Sequence, residues 1–121
     1  MQTSDDRPRV LVVEDEALIA MEIESALLDA GFAVVGPAAS VAAGTALAAA
    51  EALWAAVLDV NLAGELVFPV ADALAGRRVP FLFVTGYSLE VLPPRFRDRP
   101  LLRKPCTPRA VIAALAGVHK S

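Results

Sequence analysis

Val10-Leu11-Val12-Val13-Glu14-Asp15 is an apolar run of four residues that stops on two acids. Three later stretches have the same form. Ala55-Ala56-Val57-Leu58 stops on Asp59, Phe81-Leu82-Phe83-Val84 stops on Thr85, and Leu101-Leu102 passes through Arg103 into Lys104-Pro105. Apolar runs this short read as strands buried on both faces. In an open parallel sheet with helical crossovers, ligands bind at the carboxyl ends of the strands. Three carboxylates, one hydroxyl and one ammonium are therefore expected to share a crevice. Such a set suits a divalent cation and a phosphoryl group.

The stretches between the runs supply the crossovers. A helix is predicted over about 16–30, where Ile19, Ile23 and Leu27 recur every four residues and Gly31 stops the pattern. Phe32 to Val35 reads as a second strand, ended by Gly36-Pro37. Ser40 is placed to cap an alanine-rich helix running to about Ala52. Trp54 to Leu58 is the third strand, and about 66–74 the third helix, with Gly76 beyond it. Pro80 opens the fourth strand. From Gly86 to Pro100 the pattern weakens: Ser88 to Leu92 allows about one helical turn before Pro93-Pro94. Leu101 to Arg103 is a short fifth strand. Thr107-Pro108 starts a last helix that runs to about Ala116. Strands alternating with helices call for a parallel sheet with right-handed crossovers. The expected organisation is a flexible tail over 1–8, one α/β domain over 9–118 of five βα units with a short or mobile fourth helix, and a tail over 119–121.

Composition bounds the function. The 121 residues are 56% hydrophobic, which supports a solid core, and the net charge of −3 supplies no global basic field to attract nucleic acid. Direct nucleic-acid binding is not expected. The single cysteine, Cys106, has no internal partner, which fits a reducing, cytoplasmic setting. The stretch from Met1 to Arg9 is polar, and the hydrophobic share comes from alanine and short strands. No signal peptide and no membrane-length span is read.

Glu14 and Asp15 alone could be acids at the positive end of a helix. Asp59 makes a metal site the stronger reading. It follows Asp15 by one βαβα stretch, so neighbouring strands bring the acids together. Mg²⁺ takes hard oxygen ligands in near-octahedral geometry and keeps waters or phosphate oxygens. Thr85 and Lys104 follow at the spacing of successive βα units. A hydroxyl donor and an ammonium are what the oxygens of a phosphoryl group need. Each of these residues is unremarkable in isolation, and their joint placement at separate strand ends is the signal.

On those residues the chain resembles a response-regulator receiver domain of two-component signalling, across residues 9 to 118. The resemblance implies a flavodoxin-like sheet, order 2-1-3-4-5 counting the five strands along the chain. It makes Asp59 the phosphoacceptor. Glu14, Asp15, Asp59 and the backbone carbonyl of Asn61 would hold Mg²⁺. Thr85 would be the switch hydroxyl, Lys104 the partner of the phosphoryl oxygens, and Lys104-Pro105 a cis peptide. The implied phosphodonor is a sensor histidine kinase or a phosphotransfer protein, and the output is an unnamed protein partner. With nothing after Ser121, a DNA-binding output would require that partner.

One departure stands out. Many receivers carry Tyr or Phe three residues before the lysine, where this chain has Leu101. Phe83-Val84-Thr85-Gly86-Tyr87 and Asp59-Val60-Asn61-Leu62-Ala63-Gly64-Glu65 instead resemble the FATGUY subgroup. Its members are linked to alphaproteobacterial stress and cell-cycle signalling, often with kinases of the HWE class. The resemblance makes Tyr87 a candidate replacement for the missing aromatic, with Gly86 giving freedom and close approach beside the acceptor. The 86–100 segment is then the expected mobile part, ordered by phosphorylation.

Other features are secondary. Leu18, Met21, Ser25 and Leu28 fall on the outer face of the first helix, as a kinase docking patch or as ordinary packing. Arg95, Arg97 and Arg99 read as a solvated basic loop beside Phe96, with contact to an acidic partner as the alternative. Trp54 reads as edge packing, and Cys106 as structural. His119 is a terminal imidazole near a helix end. Two alternatives remain beside the receiver. A Mg²⁺-dependent aspartyl-phosphate hydrolase of haloacid-dehalogenase type would need an acid two residues after its nucleophile, where this chain has Asn61. A receiver that works without phosphorylation would not need all five site residues.

Overall fold

A computed structural model describes residues 6–86 and 92–118 of the chain. Its five-stranded sheet is parallel and ordered β2-β1-β3-β6-β7. The strands are β1 (Arg9–Val13), β2 (Ala33–Ala38), β3 (Ala55–Asp59), β6 (Phe81–Thr85) and β7 (Leu101–Arg103). This is the flavodoxin-like order expected from the sequence. The two-residue strands β4 (Asn61–Leu62) and β5 (Glu65–Leu66) form a separate small antiparallel hairpin. The helices are α1 (Ala17–Asp29), α2 (Val41–Ala50), α3 (Phe68–Gly76) and α4 (Pro108–Leu115).

Alternation along the strands divides the core in two. Leu11, Val13, Leu58, Phe81 and Phe83 face α2 and α3. Val10, Val12, Val57, Leu82 and Val84 face α1 and α4. Every residue of β3 and β6 is buried, which explains why those runs are continuously apolar rather than alternating. The caps expected of Ser40 and Thr107 form: each hydroxyl accepts a backbone N–H, from Ala43 and Ala110, at 3.1 Å.

Two local expectations are corrected. β2 does not end at Gly36-Pro37 but continues to Ala38, where Ala38 pairs with Val13 across a register shift. Gly36 has φ +92° and permits this route; its peptide to Pro37 is cis, as is Lys104-Pro105. The third helix begins at Phe68, not Leu66, because residues 61–66 are used by the hairpin. Ala63 and Gly64 turn that hairpin with φ of 52° and 94°.

The arginine run stays largely exposed, as a solvated loop would, and is also tied to the fold. Pro94–Phe96 is a 3-10 turn, and Phe96 is buried against Phe68, Phe81 and Phe83. Arg95 makes two 2.9 Å bonds to Asp72 of α3, and its guanidinium lies 4.6 Å from the centre of the Phe96 ring. Arg99 covers Phe81 at 4.3 Å, and Arg97 Nε donates to the Leu92 carbonyl at 3.0 Å. Trp54 packs on Phe32 with ring centres 5.4 Å apart, as edge packing requires. The possible turn over Ser88 to Leu92 falls mostly outside the described residues, and Tyr87 and His119 fall wholly outside them.

Candidate functional site

The carboxyl ends of β1, β3, β6 and β7 surround a cleft of about 540 Å³ whose lining includes Asp15, Glu16, Asp59, Asn61, Thr85, Gly86 and Lys104. Asp59 is the last residue of β3, and its neighbour Val60 continues the pairing by donating to the Val84 carbonyl at 3.1 Å. Thr85 ends β6 one step further and is buried. The Thr85 carbonyl accepts the Lys104 N–H at 2.8 Å, which holds the end of β7 against the end of β6.

Lys104 is the hub of the charges. Its Nζ lies 3.2 Å from Asp59 Oδ2, 3.3 Å from Glu14 Oε1 and 3.6 Å from Glu16 Oε1. Glu14 and Asp59 are both buried, at 3% and 6% exposure. Burial of this kind costs several kcal/mol per unpaired charge, so the acids need a cation beside them. One ammonium does not suffice for the group. Burial pushes the Glu14 carboxyl up from 4.5 to about 7, and the Asp59 carboxylate adds to the shift against the opposing Glu16 N–H and Lys104. For Lys104 burial acts downward, but Asp59 and Glu14 outweigh it and hold the ammonium above its usual 10.5.

Glu14, Asp15 and Asp59 each present a carboxylate oxygen, all within 4.8 Å of one another. The donor set is made of hard oxygens, and Glu14 still carries an incompletely compensated charge; both properties fit a divalent cation such as Mg²⁺. Asn61 lies beside the acids at the start of the hairpin: its N–H donates to Asp59 Oδ1 at 3.3 Å, and its Oδ1 accepts the Gly64 N–H at 2.8 Å.

The site residues expected from the sequence that are described are thus brought together: Glu14, Asp15, Asp59, Asn61, Thr85, Gly86 and Lys104. Gly86 is exposed at the mouth, where a Cβ would meet nothing within 4 Å. Leu101 does not join them. It pairs with Phe83 and packs toward the α2–α3 core. Two contributors were missed. The Ala38 carbonyl accepts the Glu14 N–H at 2.9 Å, so β2 helps to place the first acid. Glu16 reaches Lys104, and only its position as the third acid of Glu14-Asp15-Glu16 could have signalled that. Cys106 is half-buried in a second cleft, between α1 and α4, and burial pushes its thiol up, with Lys104 opposing the shift and Glu14 adding to it.

This fold and this arrangement of strand-end acids, hydroxyl and lysine define a signalling receiver domain. The chain belongs to the response-regulator receiver domains: it is 45% identical to SdrG from Sphingomonas melonis Fr1, a match covering 96% of this chain and 98% of that one, with a TM-score of 0.80. The BeF3-activated conformation of SdrG, from Pseudomonas melonis Fr1, matches at 47% identity and a TM-score of 0.73, over 89% of this chain and 92% of that one. Transcriptional regulatory protein PdtaR of Mycobacterium tuberculosis is 32% identical over 91 residues. That match takes in 74% of this chain, which spans only 44% of the length of PdtaR. No protein-family model matches the chain. Among the described residues no helix is long and apolar enough to cross a membrane.

Proposed function

We propose that the chain is a phosphoacceptor: Asp59 takes a phosphoryl group from a phosphohistidine of a sensor histidine kinase or phosphotransfer protein, and the change is read by a protein partner through the 85–101 region. The observation that carries this reading is the contact of Lys104 with Asp59 at 3.2 Å inside a cluster of three carboxylates. A carboxylate is a sufficient nucleophile for phosphorus when charge in the transition state is neutralised and the groups are held in line.

The step follows from the positions. An Asp59 oxygen forms the new bond to phosphorus. The P–N bond of the donor breaks, and its electron pair stays on the imidazole nitrogen, which takes up a proton. Lys104 leaves Asp59 for a phosphoryl oxygen, and the Thr85 hydroxyl donates to another. Bound at Glu14, Asp15, Asp59 and the Asn61 carbonyl, Mg²⁺ would neutralise charge on the transferring group. That the related SdrG has a BeF3-activated conformation supports a phosphoacceptor reading. Beside it, Leu18 and Met21 of α1 are 69% and 62% exposed, an apolar surface on which a kinase helix pair can dock. The FATGUY resemblance favours a kinase of the HWE class and gives Tyr87 and Gly86 a part in the switch, and the lone cysteine fits a cytoplasmic location.

The hydrolase alternative has little support. Its general acid would stand at Asn61, an amide whose oxygen is engaged by Gly64. The decisive experiment is incubation of the intact chain with acetyl phosphate and Mg²⁺, followed by mass spectrometry. One added phosphoryl group, absent in Asp59→Ala, is expected. No labelling of the intact chain overturns the proposal.

A further inference from the structure

We infer that Glu16 is a charge gate on Asp59, slowing phosphoryl transfer from small dianionic donors much more than from less negative ones. The inference rests on the phosphoacceptor reading. Glu16 stands immediately before α1, where a side chain commonly accepts a backbone N–H of the first turn. Its carboxylate makes no such bond. It lies instead 3.6 Å from Lys104, an ammonium already shared by Asp59 and Glu14. Three carboxylates around one ammonium leave the site entrance negative.

Among these three acids Glu16 is by far the most exposed to an arriving donor. Its side chain is 61% exposed, against 2% for Glu14 and 7% for Asp59. It borders the same cleft as Asp59, Thr85 and Gly86. Its contact with Lys104 is the longest of the three, so it is the least costly to give up when Lys104 turns to the phosphoryl oxygens. Glu16 therefore opposes the donor on arrival without being needed to hold the product. A free dianion meets this charge directly. A phosphoramidate monoanion, like a phosphohistidine whose leaving nitrogen takes up a proton, meets less of it.

The test compares two small donors on the intact chain with Mg²⁺: acetyl phosphate, a dianion near neutral pH, and phosphoramidate, a monoanion. In both reactions an Asp59 oxygen bonds to phosphorus. The bond broken is phosphorus to acetate oxygen in one and phosphorus to nitrogen in the other. The electron pair leaves on acetate, or on ammonia that has gained a proton. Glu16→Gln is expected to raise the acetyl phosphate rate about two- to fivefold, the range of an exposed charge interaction, and the phosphoramidate rate by a clearly smaller factor. Glu16→Asp keeps the donor ratio of the intact chain, and Glu16→Lys exceeds Glu16→Gln for acetyl phosphate. Equal acceleration with both donors would show that Glu16 acts only by restraining Lys104, and overturns the gate; so does no acceleration at all. Absence of labelling in the unsubstituted chain instead overturns the phosphoacceptor reading itself, and the gate with it.

Discussion

The Ala38 carbonyl accepts the Glu14 amide at 2.9 Å, which makes the last residue of β2 a support for the first acid of the site. The route to Ala38 passes Gly36, where an added Cβ would lie 2.8 Å from the Ala38 nitrogen and 2.9 Å from the Val12 oxygen. Both neighbours are backbone and cannot move aside cheaply. Gly36→Ala is therefore expected to destabilise the chain by about 2–4 kcal/mol, combining left-handed strain with displacement of β2. Denaturant titration measures the loss. A change below about 1 kcal/mol would show that β2 relaxes freely at this point.

Phe96 and Arg95 are adjacent, yet they hold the 92–100 segment in different ways. Phe96 is buried among three other phenylalanines, and Phe96→Ala is expected to cost about 3–5 kcal/mol. Arg95 and Asp72 pair well, but both side chains are about half exposed and solvent screens them. Asp72→Ala should leave the urea midpoint within error of the unsubstituted chain. A large loss for Asp72→Ala would place the anchoring in the ion pair rather than in the aromatic cluster.

The Glu14 shift makes stability depend on pH in a defined direction. A carboxyl raised from 4.5 to about 7 favours the fold fully below pH 4.5, and that contribution is lost as pH rises through 7. Without divalent cation, this part of the stability should fall between pH 4.5 and about 7.5, by on the order of 3 kcal/mol. Glu14→Gln should remove that part of the slope and be the more stable form at pH 8. Equal slopes for the two chains by chemical denaturation would refute the assignment.

Mg²⁺ is expected to bind the folded chain and raise its thermal midpoint, since a ligand held only by the folded state stabilises by about 2.7 kcal/mol at a hundred times its Kd. Asp15→Asn and Asp59→Asn should each weaken that response about tenfold or more in concentration, while Asp72→Asn should not. Equal midpoint shifts in all four proteins would place the cation elsewhere.

Much of the site was legible because the βα repeat sets each strand end at a separate place along the chain. Asp59, Thr85 and Lys104 are the terminal residues of apolar runs, and the crossover rule brings those ends together. What was missed or misread depends on partners distant in sequence. The exposed Arg95 gave no sign of its partner Asp72, 23 residues away along the chain. Gly36-Pro37 reads as a stop because neither residue favours a strand, yet the edge position of β2 tolerates both. The Leu66 boundary failed because a hairpin of two-residue strands has too few side chains to show a period.

By itself, then, the amino-acid sequence determined the alternating βα units, the parallel sheet they build, and the chemical types gathered at its carboxyl edge, while the order of the strands was implied by the receiver resemblance. Those follow from periodicity and chain connectivity, which are local or nearly so. Tertiary structure decided how charge is shared among them. Lys104 is divided among Asp59, Glu14 and Glu16, Glu14 is driven toward neutrality by burial, and Leu101 is turned into the core. Each of these outcomes depends on distances across the sheet and on exclusion of water, and neither is written in any single stretch of the chain.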